Sequence, residues 1–243
     1  MEPTPAKDGG AGSAFAWLVH AITASGAVIA LLALAAIERG DLRLALLWLL
    51  LGLAIDGVDG TLARAARTKE RAARIDGDTL DLVVDYLTYV FVPTLFIWRG
   101  GFVPEAWALP LAAAIQLSSL YLFARTDMKT EDNYFRGFPA LWNVVAFYLF
   151  AAQAGPEVGA GVVCLFVLMT FAPVHFVHPF RVRDYGVFLP LLAIAWALAT
   201  VALLWTGWSE AVRGALLCGS AGAAILMLAL GLLRTVRGPR PAK

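Results

Sequence analysis

Four aspartates, arranged in two closely spaced pairs, are the residues of this chain best suited to chemistry. Asp56 and Asp59 are three residues apart, and Asp81 and Asp85 are four apart, so each pair falls on one helix face. Both pairs lie at the edge of a long hydrophobic run, where a carboxylate is costly unless a cation or a chemical task holds it there. Two antiparallel helices joined by a turn would bring the four carboxylates together.

Carboxylates gathered in this way favour a divalent cation. Like charges in a low-dielectric place repel strongly, and without a counter-ion some of the carboxylates would take up a proton. Mg²⁺ and Mn²⁺ prefer carboxylate oxygens and readily share the oxygens of substrate phosphates. Two such ions can clamp a diphosphate, neutralise the leaving phosphate and orient an incoming oxygen. The spacing therefore indicates metal-dependent transfer of a group from a diphosphate.

Small residues and one arginine accompany the acids. Gly60, Ala63 and Gly77 share the aspartate faces and leave room for a bulky ligand against the backbone. The alternative is close helix packing, where small residues are also enriched. Arg64, one turn beyond Gly60, is the best-placed cation to hold a lipid or nucleotide phosphate through paired hydrogen bonds. Its alternative role is to set the topology and contact anionic lipids.

The composition is that of an integral membrane protein. Of the 243 residues, 60% are hydrophobic and 15% charged, and the mean hydropathy is +0.74, whereas soluble domains average about 45–50% apolar and about 25% charged. The formal net charge of +1 gives no indication of nucleic-acid binding. Because a spanning helix needs about 20 residues, we predict an all-α bundle of about eight transmembrane helices. Their ranges are 14–37, 42–63, 78–98, 103–124, 138–154, 157–177, 187–206 and 211–233.

The basic residues predict how this bundle is oriented. With both termini in the cytoplasm, most of the 19 lysines and arginines fall in cytoplasmic segments, as the positive-inside rule requires. Residues 1–13 then form a disordered tail and residues 234–243 a basic tail, on either side of a membrane domain over 14–233. The aspartate stretch 56–85 lies at the cytoplasmic surface.

The spacing of these residues resembles the signature of the CDP-alcohol phosphatidyltransferases. The matching residues are Asp56, Asp59, Gly60, Ala63 and Arg64, followed by Gly77, Asp81 and Asp85. The twelve residues between Arg64 and Gly77 make a longer interval than the common family form, similar to that of a bacterial subfamily that makes phosphatidylcholine. The likeness covers roughly residues 15–185. It includes three further stretches: 16–26, 78–93 and 126–143.

The resemblance implies a reaction in which CDP-diacylglycerol and choline give phosphatidylcholine and CMP, with Mn²⁺ or Mg²⁺ required. It implies that the four aspartates share two metal ions and that Asp85 is also the general base for the acceptor hydroxyl. Gly60 and Ala63 would let the cytidine nucleotide dock. The enzyme would be a multi-pass protein of the bacterial inner membrane, surrounded by membrane lipids, with its active site facing the cytoplasm. The resemblance does not decide whether the enzyme is a monomer or a homodimer.

Polar residues outside the signature are candidates for contacts with the nucleotide and the lipid phosphates. His20 and Thr23 share a face of the first helix near its cytoplasmic end. They would contact the nucleotide or, alternatively, cap the helix or bond to a neighbouring helix. Arg181 and Arg183 follow the sixth predicted helix and would contact the lipid phosphates.

Aromatic faces are the groups that bind a quaternary ammonium such as choline. Tyr86, Tyr89, Tyr134 and Trp142 are the candidates for this cage. Tyr89 is the first choice because it lies four residues after Asp85 on the same face. For each of these residues the alternative is an aromatic belt at the membrane interface or a place in the core.

Two other functions stay open at this point. One is the same chemistry with another acceptor, such as serine or glycerol 3-phosphate. A phosphorylated acceptor needs a basic pocket near Asp85, and residues 86–98 contain no cation, which favours a cationic or neutral acceptor. The other is a cation transporter, which predicts acids spread through the membrane and helices broken near the midplane. Against it, the aspartates cluster at one face, and the second and third predicted helices lack a break at a central glycine or proline.

Overall fold

The protein, seen in a computed structural model that describes residues 10–239, is built from helices. They are α1 Gly10–Glu38, α2 Leu42–Ala66, α3 Thr68–Arg71, α4 Gly77–Asp85, α5 Val92–Arg99, α6 Glu105–Ala124, α7 Trp142–Ala151, α8 Pro156–Phe171, α9 Phe188–Leu203 and α10 Glu210–Arg237. A π-helical segment, Tyr86–Phe91, joins α4 to α5. Two short strands, β1 Phe135–Arg136 and β2 His175–Phe176, pair antiparallel. Apart from this ribbon, the described residues form an all-α fold.

Several of these helices are long and apolar enough to cross a membrane. Four meet this condition by length and composition: Gly12–Glu38, Gly77–Arg99, Glu105–Ala124 and Glu210–Arg237. The apolar helices α7, α8 and α9 are shorter, with 10, 16 and 16 residues, and overlap three other predicted spans. A helical, multi-pass membrane protein is therefore confirmed, whereas the count of eight spans and the side of the termini stay predictions.

The predicted tails differ from the observed helix ends. Helix α1 begins at Gly10, so residues 10–13 are helical rather than part of a tail, and residues 1–9 lie outside the described range. Helix α10 continues to Arg237, and Gly238, with φ of 75°, follows it and donates its N–H to the last turn. The start of the predicted basic tail is therefore helical, and residues 240–243 lie outside the described range.

The chain divides into two compact units between Val92 and Pro93. In the first unit, α1 packs along α2, α3 and α4. In the second unit, α6 packs on α8, α9 packs on α10, and β2 lies against α10. The buried residues Tyr134, Val182 and Leu189 form the centre of a hydrophobic cluster in this second unit.

Glycines allow close approach of the helices in the first unit. A Cβ added to Gly26 of α1 would collide with the side chain of Val84 on α4. A Cβ added to Gly52 of α2 would lie 3.5 Å from the Cγ2 atom of Thr88 in the π-helical segment. Small residues at such contacts are the usual means by which membrane helices approach each other. Gly26 therefore lets α4 approach α1 closely.

Local hydrogen bonds fix the ends of those two helices. Helix α2 is capped at its C-terminus by Arg67, whose φ of 52° is in the left-handed region and whose N–H donates to the carbonyl oxygens of Ala63 and Arg64. Helix α4 is capped by Asp76, whose carboxylate accepts hydrogen bonds from the N–H and the hydroxyl of Thr79. The backbone hydrogen bond from Thr79 lowers the pKa of Asp76 below its usual value.

The third predicted span is one helix, Gly77–Arg99, whose geometry changes near its middle. In the π-helical segment the N–H of Val92 donates to the carbonyl of Leu87, five residues earlier. Pro93 follows and has no N–H, so the carbonyl of Tyr89, four residues earlier, has no α-helical donor. The helix nevertheless runs without a break from Gly77 to Arg99, as we predicted, with a wider turn before Pro93.

Candidate active site

Three carboxylates converge in the first unit. Asp56 on α2 and Asp81 and Asp85 on α4 each contribute an oxygen, and the three oxygens lie within 4.8 Å of one another. All three side chains are partly buried. The structure thus brings together three of the four predicted aspartates, from the two helices expected to carry them.

The donor chemistry of this cluster suits a hard divalent cation. Three partly buried carboxylates at such distances repel one another unless a positive charge lies among them. A set of carboxylate oxygens is what Mg²⁺ and Mn²⁺ prefer over softer metals. The cluster could therefore hold a metal ion, while the identity and number of the ions stay predictions.

The fourth aspartate, Asp59, has a different environment. Its side chain is buried, with 5% of the residue exposed, and its Oδ2 atom accepts a hydrogen bond of 2.8 Å from the hydroxyl of Thr23. Thr23 lies on α1, so this bond links α1 to α2. The structure thus gives Thr23 a protein partner, and its predicted contact with the nucleotide stays a prediction.

A tyrosine that we expected to contact choline bonds instead to the acidic cluster. The hydroxyl of Tyr89 donates a hydrogen bond of 2.5 Å to Oδ2 of Asp56, and 6% of Tyr89 is exposed. Sequence reasoning placed Tyr89 near Asp85 but missed this bond. Tyr86, at the start of the same π-helical segment, is partly buried. For both tyrosines the role in choline binding stays a prediction.

His20 lies beside the first residue of α4. A Cβ added to Gly77 would come within 2.9 Å of the Cε1 atom of His20, and the ring of Trp17 meets the imidazole edge-on at 6.4 Å. His20 is 5% exposed, and its Nε2 atom has no hydrogen-bond partner among the described residues. Buried ring nitrogens are normally paired, so this atom is suited to bond a ligand.

The remaining signature residues lie on the last turns of α2. Gly60 and Ala63 are partly buried, and Ala63 packs against the hydrophobic cluster around Val19 of α1. Helix packing, the alternative weighed for these small residues, is thus observed for Ala63. Arg64 is exposed, and its Nη2 atom donates a hydrogen bond of 3.0 Å to the hydroxyl of Thr61.

Two of the predicted aromatic residues belong to the second unit and are fully buried. The hydroxyl of Tyr134 donates to Asp184 at 2.9 Å, and burial and this hydrogen bond raise the pKa of the phenol above its usual value. The indole of Trp142 donates to the hydroxyl of Ser119 at 2.9 Å. Both polar atoms have protein partners, and a role of either ring in choline binding stays a prediction.

The two predicted phosphate-binding arginines also belong to the second unit. Arg181 and Arg183 are exposed, whereas Val182 between them is buried in the cluster with Leu189. The alternation anchors the segment through Val182. The contacts of the two arginines with lipid phosphates stay a prediction.

The protein belongs to the class of multi-pass membrane proteins with a candidate metal site. It has helices long enough to span a membrane, and its acidic cluster is suited to a divalent cation. No family model matches this sequence. The phosphatidylcholine synthase of Pseudomonas aeruginosa is 46% identical over 192 residues, which cover 78% of this chain and 79% of the relative. The phosphatidylcholine synthase of Borreliella burgdorferi is 38% identical over 191 residues, which cover 77% of this chain and 81% of that relative. The chain belongs to the phosphatidylcholine synthase family, which makes it a transferase of phospholipid synthesis.

Proposed function

We propose that the chain transfers the phosphatidyl group of CDP-diacylglycerol to choline, giving phosphatidylcholine and CMP, with assistance from Mn²⁺ or Mg²⁺. Membership of the phosphatidylcholine synthase family supports the reaction. The resemblance to the CDP-alcohol phosphatidyltransferase signature supports the donor. The observation that carries the metal-assisted mechanism is the approach of Asp56, Asp81 and Asp85 to within 4.8 Å.

In this proposal the four aspartates hold the metal, with Asp59 completing the set formed by the three converging residues. A bound divalent cation would offset the charge of the diphosphate and of the departing CMP. Asp85 accepts the proton of the choline hydroxyl. The choline oxygen bonds to the phosphatidyl phosphorus, and the bond from that phosphorus to the CMP oxygen breaks. Two ions and this double role of Asp85 are what the family resemblance implies.

The nucleotide lies, in this proposal, along the signature residues of α2 and the start of α4. Gly60, Ala63 and Gly77 are the small residues proposed to let it dock beside the acids. The unpaired Nε2 atom of buried His20, which packs against Gly77, supports a polar contact there. Thr23 would contribute a second polar contact on the same helix. Arg64, Arg181 and Arg183 are the proposed partners of the lipid phosphates.

The choice of acceptor is tested by a panel of alcohols. Purified protein in detergent would receive CDP-diacylglycerol, Mn²⁺ and choline, serine, glycerol 3-phosphate or inositol, and both CMP and the lipid product would be measured. We expect phosphatidylcholine with choline, and loss of product when a chelator removes Mn²⁺. Product with serine and none with choline would refute the assignment of the acceptor. Turnover unaffected by complete chelation would refute the metal.

The proposed orientation has the acidic cluster at the cytoplasmic face, eight spans and both termini in the cytoplasm. Glu70, exposed between α2 and α4, is suited to report it. In a background with the native cysteines replaced by serine, Glu70→Cys should react with an impermeant maleimide in inverted vesicles but not in intact spheroplasts. Glu105→Cys, at the exposed start of α6, should show the opposite pattern. Labelling of Glu70→Cys in intact spheroplasts would contradict the orientation.

A further inference from the structure

We propose that Tyr89 is a positioning residue of the metal site. Its hydroxyl holds one carboxylate oxygen of Asp56 and leaves the other oxygen to bind the cation. The inference rests on the proposed function, because it assigns Asp56 to a metal-binding cluster. It gives Tyr89 a task other than contact with choline.

The hydrogen bond itself has the properties that this task needs. It joins the phenol of Tyr89 to Oδ2 of Asp56 at 2.5 Å, the length of a strong bond between a hydroxyl and a charged carboxylate. A carboxylate has two oxygens that accept independently, so a bond to one does not prevent the other from binding a cation. The phenol is buried, which restricts the rotation of both side chains.

The bond also joins the two elements that contribute the three carboxylates. Asp56 is on α2, whereas Tyr89 lies in the π-helical segment that continues directly from α4, four residues after Asp85. The neighbouring hydroxyl, that of Thr88, donates within its own helix, to the carbonyl of Val84 at 3.1 Å. Tyr89 therefore holds the Asp56 carboxylate at a fixed position relative to the acids of α4.

The second aspartate of α2 follows the same pattern. Asp59 accepts a hydrogen bond of 2.8 Å from the hydroxyl of Thr23 on α1. Each α2 aspartate is thus oriented by a hydroxyl from another element. Partners that orient metal ligands in this way commonly change metal affinity by about 10- to 100-fold when they are removed.

The test is Mn²⁺ binding to purified Tyr89→Phe, measured in detergent by the paramagnetic resonance signal of free Mn²⁺. Phenylalanine keeps the ring and its packing and removes the hydroxyl. We expect the dissociation constant for Mn²⁺ to rise about 10-fold or more. At saturating Mn²⁺, kcat should approach that of the wild type, and the KM for choline should be unchanged.

Thr88→Val is the matched control, because it removes a buried hydroxyl from the adjacent residue without touching an aspartate. It should bind Mn²⁺ as the wild type does. Unaltered Mn²⁺ binding in Tyr89→Phe, or equal weakening in both variants, would overturn the inference. A raised KM for choline with unaltered Mn²⁺ binding would overturn it in favour of a choline contact. If the wild type binds no Mn²⁺, both the proposed metal-assisted function and this inference are refuted. If the wild type binds Mn²⁺ and Tyr89→Phe binds it equally well, only this inference is refuted.

Discussion

Replacing Asp85 by asparagine should lower kcat for phosphatidylcholine formation by about 10³-fold or more, within the range that a general base contributes. Asparagine has nearly the same shape but cannot accept the proton of the choline hydroxyl. Initial rates of CMP release from CDP-diacylglycerol and choline would measure the loss. Because the nucleotide contacts lie elsewhere, binding of CMP should partly survive.

Asp78→Asn provides the matched control for this substitution. Asp78 is in the first turn of the same helix and forms an exposed ion pair of 2.6 Å with Lys69, so the change removes one carboxylate outside the cluster. Exposed pairs of this kind contribute little to stability, and turnover should stay near that of the wild type. Near-normal turnover in Asp85→Asn would remove that residue from the role of base.

Replacing Asp81 by asparagine should act chiefly on the metal. The Mn²⁺ concentration that gives half-maximal turnover should rise by about 100-fold or more, since even indirect partners of a ligand account for about 10- to 100-fold in affinity. High Mn²⁺ should restore part of the rate, because Asp81 has no assigned proton to transfer. The measurement is the rate of CMP release against Mn²⁺ concentration.

The two aspartate variants are distinguished by their response to added metal. Asp85→Asn should remain inactive at Mn²⁺ concentrations that partly restore Asp81→Asn, since metal does not replace a missing base. A wild-type dependence on Mn²⁺ in Asp81→Asn would exclude Asp81 as a ligand.

Helical periodicity was sufficient to predict the convergence of Asp56, Asp81 and Asp85. At about 100° per residue, Asp81 and Asp85 are separated by only about 40° around α4 and lie on one side of it. Asp59 is about 60° away from Asp56 around α2. Asp59 bonds to Thr23 of α1, and sequence spacing alone did not predict that bond.

The bond between Tyr89 and Asp56 could not be predicted from the sequence, because it joins residues of two different elements. Counting in α-helical steps placed Tyr89 beside Asp85, and Tyr89 does bond to a member of the cluster that contains Asp85. Pro93 was a usable signal for the wider helical turn before it, since a proline removes a backbone donor within a long apolar run. The partner on α2 could not be identified without the packing of the helices.

Hydrophobicity likewise did not locate the ends of α7. The apolar run 138–154 exceeds the observed helix, Trp142–Ala151, at both ends. Ala140 and Gln153 have φ of 55° and 51°, a left-handed conformation that interrupts a helix. Neither alanine nor glutamine is a residue type that signals a left-handed conformation, so the sequence did not predict these helix ends.

The most direct test of the account is the position of Mn²⁺ in crystals of the protein grown with the ion, located by its anomalous scattering. We predict a peak bonded to oxygens of Asp56, Asp81 and Asp85 together, on helices α2 and α4. No peak among these three carboxylates, at a Mn²⁺ concentration that supports full turnover, would contradict it.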